Sequence, residues 1–144
     1  MLRTRLDPRV RALLVVGLAV YVLVLAVIAF WPTHVDRDAG PLLAAIEQLF
    51  PWATHRRLEF SANIALFVPF GLLLTPLLRS WLLTLILGVG ASMAIEVVQD
   101  LALPGRTASA LDVAANSLGT AVGVLLALLI VRATRGAPAP ARTR

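Results

Sequence analysis

Hydrophobic positions along this chain gather into long runs without a charge rather than into short alternating patterns. Four runs stand out: Ala12–Trp31, Phe60–Leu78, Ser80–Ile95 and Val113–Val131. A helix crossing the hydrocarbon core of a bilayer needs about 20 apolar residues, with a working range of roughly 17–25. The first, second and fourth runs meet that length as they stand. The third meets it only by taking in Glu96 and the residues up to Gln99, so a carboxylic acid must sit within the membrane boundary. The pattern predicts an all-α, polytopic membrane bundle with four transmembrane helices at residues 12–31, 60–78, 80–99 and 113–131. Arg3, Arg5, Arg9 and Arg11 before the first run resemble the basic start of a signal peptide. The apolar part of a signal peptide is about 7–15 residues long, shorter than this run, so a retained helix is expected.

Between the first two runs, Leu42, Leu43, Ile46, Leu49 and Phe50 recur at helical spacing within Pro41–Trp52, with Glu47 and Gln48 facing away. This predicts a short amphipathic interfacial helix in the first outer loop, of the kind that lies on a membrane surface or caps a bundle. Arg79 is a very short connection, which makes the second and third helices a tight antiparallel hairpin.

Composition sharpens this picture. Of 144 residues, 59% are hydrophobic and 15% charged, well away from the soluble average of about half and a quarter. There is no cysteine, which excludes a disulfide framework and a thiolate metal site. The net charge is +5 and every cation is an arginine, but the arginines sit at the ends of apolar runs. That placement fits membrane orientation better than nucleic-acid binding, for which no motif is present. With the N-terminus inside, nine arginines fall on the inner side (3, 5, 9, 11, 79, 132, 135, 142 and 144) and four on the outer side (37, 56, 57 and 106). The excess predicts that both termini are cytoplasmic in a bacterial plasma membrane. Trp31, Trp52 and Trp81 fall at expected interfaces, where indole rings are favoured. The expected organisation is a basic cytoplasmic segment 1–11, a membrane domain 12–131 and a basic disordered tail 132–144.

The candidate chemistry lies in the polar residues within the spans. Asn63 is 15 residues from Leu78, Glu96 is 16 from Ser80, and Asn116 is 15 from Val131. At about 1.5 Å per residue, all three sit roughly 22–24 Å from the inner edge, just beneath the outer surface. Gly88, Ser92 and Glu96 follow at intervals of four with Gln99 a turn on, and Asp112 and Asn116 are likewise four apart. Gly119 and Gly123 form a small-residue stripe on the fourth helix, and Asn63, Phe67 and Gly71 a matching row on the second. Such stripes let helix backbones approach closely in lipid, and Gly88/Ser92 are expected to meet Gly119/Gly123. Pro69 and Pro76 are expected to distort the second helix and free carbonyls that face the polar cluster.

Each residue also has a plain structural reading. Asn63, Gln99 and Asn116 can serve as interhelical hydrogen-bond glue, worth on average about 0.6 kcal/mol each. Asp112, just before Val113, reads as the N-cap of the fourth helix. Glu96 is harder to explain, because a mid-span acid costs several kcal/mol unless paired, hydrated or protonated. An ion pair with Arg106 is its structural explanation. Leu103-Pro104-Gly105 can turn that arginine back over the bundle mouth, where a guanidinium can also hold carboxylate or phosphate bidentately. His34 and His55 have no partner at ligand spacing and read as solvated; no metal site or cofactor is expected.

These residues carry a family resemblance. Asn63-Ile-Ala-Leu-Phe67-Val-Pro69-Phe-Gly71, Glu96-Val-Val-Gln99, Arg106 followed six residues later by Asp112, and Asp112-Val-Ala-Ala-Asn116-Ser-Leu-Gly119 together resemble the VanZ-like membrane proteins. The resemblance covers about half the chain, and Ser109 stands where that family often has a second acid. It implies a polytopic bacterial membrane protein of the type linked to teicoplanin and glycopeptide resistance.

Three functions remain open. One is a non-enzymatic envelope protein binding membrane lipids, with an anionic or cell-wall precursor head group held by Asn63, Glu96, Gln99, Arg106, Asp112 and Asn116. A second is a membrane enzyme using Glu96 and Asp112 as acid and base or as divalent-metal ligands. Against it, the chain has no Asp-rich phosphotransferase motif and no lysine. A third is an ion- or proton-coupled carrier, which would require a homo-oligomer of such short bundles. The first is favoured.

Overall fold

Asp7 starts the first helix by accepting the backbone N–H of Arg9 at 2.8 Å, and Pro8 supplies a pre-set first helical residue. The computed structural model describes residues 6–30, 40–102 and 109–136. Helix α1 spans Pro8–Ala29, α2 Gly40–Leu49, α3 His55–Leu78, α4 Trp81–Ala102 and α5 Ala110–Gly136. No strand occurs among the described residues. Helices α1, α3, α4 and α5 are each long and apolar enough to cross a membrane.

Every long helix extends past one or both ends of its charge-free stretch, although α1, which begins at Pro8 rather than 12, stops at Ala29. α3 begins at His55 rather than residue 60, α4 runs to Ala102 rather than 99, and α5 covers 110–136 rather than 113–131. Caps and hydrogen bonds, not hydropathy, end a helix, and long charged side chains such as Arg56, Arg57 and Arg132 can reach past the apolar zone. The tail expected from residue 132 is therefore helical as far as Gly136. Arg79 ends α3 in the left-handed conformation (φ 57°), returning its N–H to Thr75 O at 2.8 Å. This closes the tight hairpin expected between α3 and α4.

α2 is the short helix expected before the second span, and Pro51 accounts for its end. One detail differs. Glu47 does not face away: its carboxylate accepts the backbone N–H of His55, the first residue of α3. Thr54 makes no side-chain cap there, so Glu47 brings a negative charge to that helix start.

The packing is inverted relative to a soluble protein. The buried residues of α4 are Thr84, Gly88, Ser92 and Glu96, and the largest fully buried side chains are Thr75, Thr84, Thr120 and Ser92. Large apolar residues such as Leu13, Leu23 and Leu101 point outward. With lipid outside, apolar surface need not be hidden, and helices associate through close packing and interhelical hydrogen bonds instead.

The most extensive helix pair is α3 with α5. A Cβ on Gly119 would stand 2.2 Å from the carbonyl oxygen of Ile64, and one on Gly123 2.1 Å from that of Val68. In return, a Cβ on Gly71 would stand 2.2 Å from Thr120 O. The α-hydrogens in those places point at carbonyl oxygens, a weak but repeated attraction. The expected meeting of this stripe with Gly88/Ser92 is thus corrected. Gly119 and Gly123 serve α3, whereas Gly88 receives the side chain of Thr120. The contacts 64–119 and 68–123 make α3 and α5 parallel; 88–120 and 92–116 make α4 and α5 antiparallel.

α3 continues through both Pro69 and Pro76. Pro69 removes the donor to the Ala65 carbonyl. The adjacent carbonyl, Leu66, accepts the Tyr21 hydroxyl at 2.7 Å. That bond ties α3 to α1, not to the polar cluster.

Candidate functional site: a polar seam between the third and fourth spanning helices

Thr84, Gly88, Ser92 and Glu96 recur every four residues, so one face of α4 is small or polar over about 18 Å. α5 and its cap meet this face with Thr120, Asn116 and Ser109. At the lower level Thr120 packs its side chain into the space left by Gly88. The Thr120 hydroxyl donates to Asn116 O at 3.0 Å, a bond within its own helix. One turn along, Asn116 Nδ2 donates to Ser92 Oγ at 2.9 Å across the interface. Further toward the end of the bundle, the Ser109 backbone N–H donates to Glu96 Oε2 at 2.7 Å. α4 and α5 thus meet at three levels: Gly88 with the Thr120 side chain, Ser92 with Asn116, and Glu96 with the Ser109 backbone.

Burial makes this seam costly to leave unsatisfied. Glu96 is 6% exposed and Asn116 5% exposed. Asn116 Oδ1 is buried and has no hydrogen-bond partner among the described residues. An unsatisfied buried acceptor carries a desolvation cost of about 1–3 kcal/mol.

The other expected site residues divide clearly. Ser109, not Asp112, caps α5: its hydroxyl accepts the Asp112 backbone N–H at 3.3 Å. Asp112 is half-buried in the first turn, where a negative charge is favoured. The cap lies earlier because α5 starts at Ala110. Gln99 turns to α1, donating from Nε2 to Ala29 O at 2.7 Å, and so holds the end of that helix rather than joining the seam. Asn63 is half-buried on α3, one residue before the Ile64 contact with Gly119. Arg106 lies outside the described residues. The shared depth expected of Asn63, Glu96 and Asn116 is refined: Ser92 is level with Asn116, and Glu96 stands one turn further along.

Sequence reasoning missed Thr84 and Thr120 as seam residues and Tyr21 as a tie between helices. The four-residue spacing extends back from Gly88 to Thr84, so that signal was present. Among the described residues no group of three or more His, Cys, Asp or Glu is placed to hold a metal ion.

The family comparison bears directly on this arrangement. A family model described as VanZ/LLP1 matches residues 18–131, from the middle of α1 to near the end of α5. The chain belongs to the VanZ family. With four helices able to span a bilayer, it is a multi-pass membrane protein. No curated protein and no solved structure gives a significant match. The matched range of this VanZ-family chain includes every described member of the seam, Thr84 through Thr120. It also takes in the α3–α5 glycine contact that carries the bundle.

Proposed function

We propose that this VanZ-family protein is a non-enzymatic component of the bacterial cell envelope. It binds an anionic lipid or a cell-wall precursor head group at the outward end of its bundle. The observation that carries this reading is the buried pair at that end of the seam: Glu96 on α4, bonded to the cap of α5, and Asn116 on α5, bonded to Ser92 of α4. Buried polar groups in lipid are expensive, and an acid inside a span is a functional hypothesis by default.

In this reading Arg106 holds the phosphate, since a guanidinium forks onto two phosphate oxygens. Glu96 and Asp112 position Arg106, and Asn63 and Asn116 orient sugar or amide groups, while Gln99 is taken up by α1. The protein lies in the plasma membrane with both termini in the cytoplasm, as the nine-to-four split of arginines supports. A contribution to glycopeptide (teicoplanin) resistance would follow from occupying or shielding such a head group.

Native mass spectrometry of the purified protein tests the reading. The wild type is expected to retain an anionic or precursor lipid, and Glu96→Gln, Arg106→Gln and the double variant to lose it while remaining folded. Full lipid retention by the double variant would sink the proposal and leave the two residues as scaffold.

A further inference from the structure

We infer that α2 and the corner after it form a membrane-surface anchor, which seats Phe50 and Trp52 in the head-group layer of the phospholipid leaflet at the outward end of the bundle. An amphipathic segment of this kind suits either a cap on the bundle or a seat on the membrane surface. A cap would bury its apolar side chains against the helices below. Here Leu49 is 74% exposed, Trp52 67% and Phe50 49%, while Ile46 is half-buried and Ala53 is the one buried residue of the corner 50–54. No extensive packing of α2 on a spanning helix occurs among the described residues. These apolar side chains face away from the protein.

The corner holds that surface in place. The Phe50 and Trp52 rings meet edge to face at 5.9 Å. The Phe50 N–H donates to Ile46 O and the Ala53 N–H to Phe50 O, each at 2.8 Å. Arg57 Nη1 donates to Trp52 O at 2.7 Å, and the Glu47 carboxylate takes the His55 N–H. α2 is thereby fastened to the first turn of α3, which continues into its span. The charge-free part of α3 begins at Phe60, so His55 stands about 7.5 Å above it. The head-group layer adds about 5–8 Å on each side of the hydrocarbon core. The corner therefore lies at that layer, where indole rings are favoured, and the lipid contact of α3 continues onto it. His55, Arg56, Arg57 and Glu59 are exposed beside it, and guanidinium forks at that depth meet lipid phosphates. Glu47 and Glu59 offset the two arginines, so apolar insertion rather than net charge carries the attachment. Because Glu47 fastens α2 to His55, the anchor sets the height at which α3, with Asn63, enters the bilayer.

The anchor goes beyond the head-group reading and does not rest on it. The test uses the full chain with Trp31→Phe and Trp81→Phe, which leaves Trp52 as its one tryptophan. It is reconstituted in phosphatidylcholine nanodiscs, which leave both faces open to quenchers. Trp52 emission is expected to be blue-shifted from that of tryptophan in water and to resist aqueous iodide. Phosphatidylcholine brominated near the top of its chains is expected to quench it more than lipid brominated toward the chain ends. Leu49→Ser with Phe50→Ser, both at exposed positions, is expected to red-shift the emission and raise iodide quenching, with Tm in detergent unchanged. Iodide quenching like that of free tryptophan, with none by brominated lipid, would overturn the inference. So would protection from both quenchers, which would put a protein partner or a second copy on the patch. Should the two phenylalanine substitutions prevent folding, an environment-sensitive probe on Trp52→Cys reads the same quantities, since the chain has no cysteine.

Discussion

The Glu96 carboxylate accepts the backbone N–H of Ser109 at 2.7 Å, so a side chain buried on α4 holds the residue that leads into α5. The link joins residues 13 positions apart in the sequence and spans the stretch that contains Arg106. Glu96→Ala is expected to cost about 1–3 kcal/mol, because a part-buried N–H loses its acceptor. Glu96→Gln keeps an acceptor oxygen and should cost distinctly less. Thermal unfolding in detergent checks this, and equal losses would show that the hydrogen bond is not the source.

The glycines make a sharper test because their neighbours differ in kind. Gly119→Ala and Gly123→Ala each drive a methyl group against a backbone oxygen, and the α3–α5 pair must separate. Overpacking of about 1–3 kcal/mol should exceed the helix-propensity gain of about 1 kcal/mol. Gly88→Ala meets the Thr120 side chain first, so adding Thr120→Ala should restore much of its lost stability. No side-chain change should rescue Gly119→Ala. Gly90→Ala, with nothing within 4 Å, should be neutral or stabilising. If Gly119→Ala behaves like Gly90→Ala in a melting series, the close α3–α5 approach is wrong.

Tyr21→Phe removes the hydroxyl that reaches Leu66 O and leaves the ring in place. The expected loss is about 0.5–1.5 kcal/mol, the net worth of one such bond. Adding Pro69→Ala to both backgrounds asks whether the proline sustains that bond. A Tyr21→Phe protein as stable as wild type would show that α1 is held by other contacts.

Orientation is open to a direct experiment. A reporter joined after Arg135 is expected to behave as cytoplasmic, and one inserted near Gly40 as external. A cytoplasmic signal at both positions would be incompatible with a first helix that crosses the membrane.

The charge-free runs alone determined that four segments span a membrane. Lipid cannot satisfy a charged or unpaired polar group, and length against bilayer thickness leaves little choice. They also determined that Glu96 must lie inside, because Ser80–Ile95 is too short without it. Helical spacing gathered Gly88, Ser92 and Glu96 onto one face and Gly119 and Gly123 onto another. Periodicity says which residues share a face but not which helix that face meets. Only the tertiary structure decided that Gly119 and Gly123 serve α3, that Gln99 holds α1, and that Ser109 rather than Asp112 caps α5. Those outcomes depend on how the described helices are disposed around one another, through backbone approaches and hydrogen bonds between residues as far as 70 positions apart.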